Sequence, residues 1–127
     1  MRTIDIESIA ATPGGSARFE GESAGSSVSF FVVRVLPGEG AVKHRHPYDE
    51  TFVLLDGQIE AIVDGEKRML RSGTIAVIPA MAWHEFTNRG SARASMVNIH
   101  PSPRIIQENW SDLTRDAQTE AGHRLIT

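Results

Sequence analysis

The sequence predicts an all-β domain, a sandwich or barrel of short strands. Three observations predict it. Short runs rich in Val, Ile, Phe and Thr recur along most of the chain. Turn residues separate them at regular intervals, and no long run with helical period stands among them.

Taken in order, the chain from Pro13 to Ser29 is rich in Gly and Ser and reads as a loop or edge hairpin around a short strand near Ala17 to Glu20. Val28 to Val35 is dominated by Val and Phe and stops at Pro37-Gly38, the pattern of a buried strand followed by a turn. Further strands are expected at Ala41 to His46, Glu50 to Asp56, Gln58 to Val63, Lys67 to Leu70, Thr74 to Ile78, Trp83 to Thr87 and Ala92 to Ile99. Asp64-Gly65 falls between two of these runs and is the strongest hairpin signal in the chain. Phe30, Phe31, Phe52 and Phe86 read as core rather than as a platform for a ligand. Helix is expected only late. Ser102 can cap it, Pro103 can take its first position, and Ile105, Ile106, Asn109 and Trp110 share one side of a helix over about 103–110. Thr114 to Thr127 is polar apart from Leu125 and Ile126, and reads as a frayed tail or a docking arm.

A length of 127 residues suits a single domain over 1–127, with no internal repeat and no room for a separate cofactor domain. The 13 Lys and Arg are scattered and the net charge is −3, so there is no basic stripe of the kind nucleic acid requires. With no cysteine, a metal site must use nitrogen and oxygen donors, which points to a borderline or hard ion. The start, Met1-Arg2-Thr3-Ile4-Asp5-Ile6-Glu7, has acids where a signal peptide needs an apolar run, and no segment has membrane-spanning length. A cytoplasmic location and no membrane partner are the expectations.

The chemistry concentrates between Val42 and Glu50. Along a strand, alternate residues share a face, so His44 and His46 point the same way while Lys43 and Arg45 point the other. Their Cα atoms are then roughly 6.5 Å apart, close enough for two imidazoles to converge on one ion. Glu50 opens the next strand after the short Pro47-Tyr48-Asp49 break and can meet them. Taken alone, an HxH pair also fits a surface pair or a hydrogen-bonded couple.

Gly38, His44, His46, Glu50 and Gly57 stand at the spacing G-x5-H-x-H-x3-E-x6-G over 38–57, and Gly73, Pro79, His84 and Asn88 at G-x5-P-x-G-x2-H-x3-N over 73–88. This pattern resembles the two motifs of the cupin superfamily, in particular its small single-domain members. Met81 departs from it, standing where the middle glycine of the second motif is expected. The resemblance implies a double-stranded β-helix, or jelly-roll, barrel with one divalent ion near an open end, held by His44, His46, Glu50 and His84. It also favours a homodimer. His123 matches no motif position, and His100, although it shares parity with Met96 and Asn98, reads as the end of a strand.

Four protein donors leave two positions free on six-coordinate iron, manganese, nickel or cobalt, whereas on tetrahedral zinc they complete a closed site. The sequence does not choose among these ions. The leading expectation is a small-molecule metalloenzyme of oxygenase type acting on a chelating substrate. The alternatives are a metal-dependent isomerase, decarboxylase or lyase, and a non-catalytic module that grips a small ligand through its metal. The non-redox chemistry needs a proton-transfer group, for which Tyr48, Glu85 and His100 are the candidates near in sequence.

Overall fold

The computed structural model describes the backbone of residues 1–117 and the side chains of residues 1–113. A one-turn helix α1 (Ile6–Ile9), capped by the Asp5 carboxylate, precedes β1 (Ala17–Phe19) and a 3-10 turn at Gly21–Ala24. Then follow β2 (Ser29–Val35), β3 (Gly40–Arg45), β4 (Glu50–Asp56), β5 (Gln58–Val63) and β6 (Glu66–Arg71). The chain continues through β7 (Ile75–Ile78), β8 (His84–Thr87), β9 (Ala94–His100), β10 (Glu108–Asn109) and α2 (Trp110–Ala117). The first nine strands lie within a few residues of where apolar alternation places them. No helix among the described residues is long and apolar enough to cross a membrane.

The strands form two five-stranded antiparallel sheets, in the orders β1-β2-β9-β4-β7 and β10-β3-β8-β5-β6. Each sheet turns alternate residues inward. Phe52 and Leu54 of β4, Met96 of β9, Ile59 of β5 and Phe86 of β8 are buried between the sheets and form the core with Val33 and Val35 of β2. Phe31 packs against this core, but Phe30 does not belong to it. It faces the other way and stacks on Phe19, ring centroids 4.8 Å apart, because parity on β2 sends neighbouring residues to opposite faces. Between β5 and β6, Asp64 and Gly65 both take positive φ, +47° and +85°, as a two-residue type I′ hairpin requires.

The turn that delivers His84 keeps the geometry of the missing glycine. Met81 has φ +68°, and its N–H donates to the His46 carbonyl at 2.7 Å, which ties the His84 loop to the end of β3. A left-handed conformation costs a β-carbon-bearing residue roughly 1–2 kcal/mol, while glycine gives back part of that in chain entropy. Met81→Gly is therefore expected to stabilise the fold by about 1 kcal/mol, since the Met81 side chain is largely exposed and gives up little burial. Denaturant midpoints at equal metal loading measure this; a lower midpoint for the variant would contradict it.

The helix expected over about 103–110 begins instead at Trp110, and its Thr114–Ala117 portion takes up the start of what reads as polar tail. The rest of that tail, with His123, lies outside the described residues. The reason is competition for backbone donors. Ile105 N–H donates to Glu20 Oε2 at 2.9 Å, Ile106 N–H to the Tyr48 hydroxyl at 3.1 Å, and Glu108-Asn109 pair with Arg45 and His44 of β3. Ser102 does accept from the Arg104 N–H, at 3.3 Å, but this closes a turn and no helix follows. Residues 101–109 thus form a strap across the end of the barrel, held by Arg45 to Glu108 at 2.6 Å and by Trp110 against Trp83 and Lys43.

Candidate metal centre

Four donors meet at the end of the barrel beneath that strap. His44 on β3 is paired directly with His84 on β8, His46 follows β3, and Glu50 opens β4 on the facing sheet. One donor atom from each lies within 4.8 Å of the others, and the residues are only 2–6% exposed. The parity argument from sequence holds, because Lys43 and Arg45 point outward, over the Trp110 and Trp83 rings.

Which nitrogen each imidazole turns inward follows from its other hydrogen bond. Nδ1 of His44 lies 2.6 Å from the Val42 carbonyl, Nδ1 of His46 2.8 Å from that of Ile106, and Nδ1 of His84 2.9 Å from that of Ala82. A carbonyl only accepts, so in each neutral ring the proton sits on Nδ1 and the bare Nε2 lone pair faces inward. Those lone pairs face a carboxylate. Nε2 of His84 is 2.9 Å and Nε2 of His46 is 3.2 Å from Glu50 Oε1. Acceptor against acceptor is repulsive, and it becomes attractive when a cation stands between them. The residues present therefore fit a divalent ion bound by three nitrogens and an oxygen, with the second nitrogen of each ring oriented as metal-binding histidines require.

Burial alone would push the Glu50 carboxyl up, but the imidazoles of His100, His46 and His84 gathered around it outweigh burial and hold the group well below the usual carboxylate range. His100 does more than end a strand. It is fully buried, its Nε2 lies 3.1 Å from Glu50 Oε2, and its Nδ1 lies 2.7 Å from the Tyr48 hydroxyl. Because that hydroxyl already accepts from the Ile106 N–H, its own proton points to His100 Nδ1, leaving the His100 proton on Nε2, which lies beside Glu50 Oε2 at ion-pair distance but outside hydrogen-bond geometry. The Tyr48 ring also stacks on His46, 5.4 Å away and nearly parallel. A row Tyr48–His100–Glu50 thus runs beside the ligand set, with Oε1 facing His46 and His84 and Oε2 facing His100. Parity with Met96 and Asn98 is the signal that places His100 inside, and all three are buried together. Glu85 is no part of the site. It faces out from β8 in a row with Ile62 and Lys67.

The cupin domain family matches residues 31–100, which is more than half of the chain. This chain is a cupin. It is 34% identical to the polyketide synthase CurC of Streptomyces cyaneus, over 80% of this chain and 70% of that protein. It is 29% identical to a gentisate 1,2-dioxygenase of Haloferax sp., over 59% of this chain but 22% of the dioxygenase. Among solved structures, the oxalate decarboxylase of Lactobacillus farciminis superposes on 92% of this cupin with a TM-score of 0.75, at 17% identity and over 38% of its own chain. The last two relatives are thus much longer than this cupin.

Burial, together with the neighbouring His84, pushes the His44 imidazole down to about 4 from an ordinary 6.5, so this cupin holds a neutral donor ready at neutral pH. The same shift sets a pH dependence. In the unfolded chain His44 takes up its proton near pH 6.5, whereas the metal-free fold resists it down to about 4. The unfolded state therefore binds the extra proton first, and stability falls as pH drops through that window and levels off below it. Glu50, whose pKa is depressed, adds a further loss as pH falls below the unfolded carboxyl range. Denaturation of chelator-treated protein from pH 7.5 to pH 4 should show a loss of a few kcal/mol, flattened in the window above pH 4.5 by His44→Gln. An unchanged slope in that variant would remove His44 as the cause.

Proposed function

We propose that this cupin is a metal-dependent enzyme that moves a proton on small molecules chelating through neighbouring oxygens, with 1,3-dicarbonyl compounds as the substrate class. The observation that carries this reading is the Tyr48–His100–Glu50 chain beside the ligand set. A divalent ion held by His44, His46, Glu50 and His84 supplies Lewis-acid polarisation of the chelated carbonyls. The protein's own groups supply the base. A proton leaving the carbon between the carbonyls passes to the Tyr48 oxygen as the Tyr48 proton moves to His100 Nδ1. The imidazolium so formed keeps its Nε2–H on Glu50 Oε2, whose negative charge offsets it. Ile106 N–H steadies the phenol oxygen throughout. Return of the proton at another atom completes an isomerisation or a ring closure, and the buried, strapped end of the barrel keeps water from the enolate. The likeness to a polyketide synthase component supports the substrate class, since a polyketide chain is a run of 1,3-dicarbonyl units.

An oxygenase is the second reading, supported by the similarity to gentisate dioxygenase and by a donor set that leaves room on a six-coordinate ion. Zinc, ferrous, manganese, nickel and cobalt forms incubated with β-ketoamides in deuterated buffer separate the readings. Proton movement predicts metal-dependent deuterium uptake at the central carbon in both zinc and ferrous forms without oxygen. Oxygen consumption confined to the ferrous form would replace this reading with the oxygenase. Tight chelator binding with no turnover by any form would make the protein a binding module.

A further inference from the structure

Among the described residues two asparagines are buried, and their side chains are used differently. Asn88, just after β8, commits its whole amide to the fold. Its Nδ2 donates to the Val35 and Ala92 carbonyls at 2.9 Å each, and its Oδ1 accepts from the Gly90 N–H at 2.8 Å. Asn98 on β9 is 3% exposed, yet its Oδ1 is buried with no hydrogen-bond partner among the described residues. Nε2 of His46 and Nε2 of His100 also lack one, but each faces the Glu50 carboxylate. The cross-strand neighbours of Asn98 are instead Phe31 on β2 and Phe52 on β4. A buried amide oxygen without a donor is a standing cost to the fold, and a leucine of similar size would not carry it.

The position of Asn98 relates this cost to the metal centre. On the inner face of its sheet one cross-strand row carries Ser29, His100, Glu50 and Ile78, and the next carries Arg18, Phe31, Asn98, Phe52 and Ala76. Neighbouring rows lie two residues, roughly 6.5 Å, apart along each strand. Asn98 therefore stands directly behind Glu50 and His100, within reach of the far side of a small molecule chelated at the ligand set. Its row opens at the edge strand β1. Exposure rises from Asn98 through half-buried Phe31 to Arg18, whose side chain is 53% exposed and whose guanidinium lies 5.8 Å from the centre of the Phe31 ring. A molecule entering past Arg18 would lie against Phe31 and end at Asn98.

We propose that Asn98 is a ligand-binding residue whose Oδ1 accepts a hydrogen bond from an N–H or O–H next to the chelating oxygens of the bound molecule. This rests on the 1,3-dicarbonyl reading given above and narrows it to compounds that carry such a donor, β-ketoamides ahead of the corresponding esters. A site built around a buried acceptor rejects an analogue without the donor more strongly than an apolar wall does, because the acceptor is then left unpaired.

Calorimetric titration of the nickel-loaded protein with N-methylacetoacetamide and with methyl acetoacetate tests this without turnover. The two chelate through the same pair of oxygens and have nearly the same shape, but only the amide carries an N–H. Comparing the amide-to-ester affinity ratio between proteins cancels the intrinsic difference between the ligands. Asn98→Leu should lower that ratio by about tenfold, while keeping one metal per chain and a denaturant midpoint at or above the wild-type value. Asn98→Ala, too small to clash with a ligand, should lower it to the same degree. An unchanged ratio in both variants overturns the inference and leaves the proposed function standing. An equal loss of affinity for both ligands does the same, since it makes Asn98 a packing residue. Failure of both ligands to bind the nickel-loaded wild type overturns the 1,3-dicarbonyl substrate class, and this inference with it.

Discussion

His44→Ala and His84→Ala should each abolish stoichiometric metal binding after dialysis, as read by elemental analysis and by competition with a chelator. Each removes one of four donors, and the two are paired across β3 and β8. The expected fall in affinity exceeds the ~10–100-fold typical of losing a partner that only orients a ligand. His100→Gln provides the comparison. Its position on Glu50 Oε2 makes it such an orienting partner, so the variant should still fill with metal at saturation. His123→Ala, at a position that matches neither motif, should bind as the wild type does. Wild-type stoichiometry and affinity in His44→Ala or His84→Ala would remove the site assignment. Loss on replacing His123 would show that a different set of histidines binds.

Tyr48→Phe and His100→Gln should each lower kcat by roughly 10²–10⁴-fold, the range of a positioned acid–base group, with KM changed far less. Tyr48→Phe keeps the ring stacked on His46 and removes only the oxygen that links Ile106 and His100. His100→Gln can still donate to Glu50 but cannot take up a proton at neutral pH. The assay requires saturating metal, so that occupancy does not masquerade as catalysis. A structural role for either residue would show as lost metal or a lower melting temperature at unchanged kcat. Wild-type kcat in both variants would remove the proton chain from the mechanism and leave the ligand set intact.

Within the fold, most strands and the His44, His46 and Glu50 cluster were legible as local pattern, while His84 entered through the spacing of the second cupin motif. Alternation along Val42 to His46 places two imidazoles on one face whatever the strand later pairs with, and Asp64-Gly65 closes a hairpin because the positive φ of the turn is a property of those residues. What lay beyond reach depends on distant partners. Ser102-Pro103 carries a helix-start signal, yet the Ile105 and Ile106 N–H groups find acceptors on Glu20 and Tyr48, far away in sequence, and the segment becomes a strap. That strap supplies the carbonyl that orients His46.

His100 shows the same division. Its parity is written in β9, but only pairing of β9 between β2 and β4 sets it against Glu50 and within reach of Tyr48. Met81 is the converse case, a residue whose preference opposes its backbone and is overruled by the loop's bond to His46. The sequence by itself determined the strands and the face that His44 and His46 share, because alternation is carried by near neighbours, while the resemblance to the cupin motifs brought in His84. Only the tertiary structure decided the Tyr48–His100–Glu50 row and the strap, because each is made of residues brought together by strand order and by hydrogen bonds that no local pattern encodes.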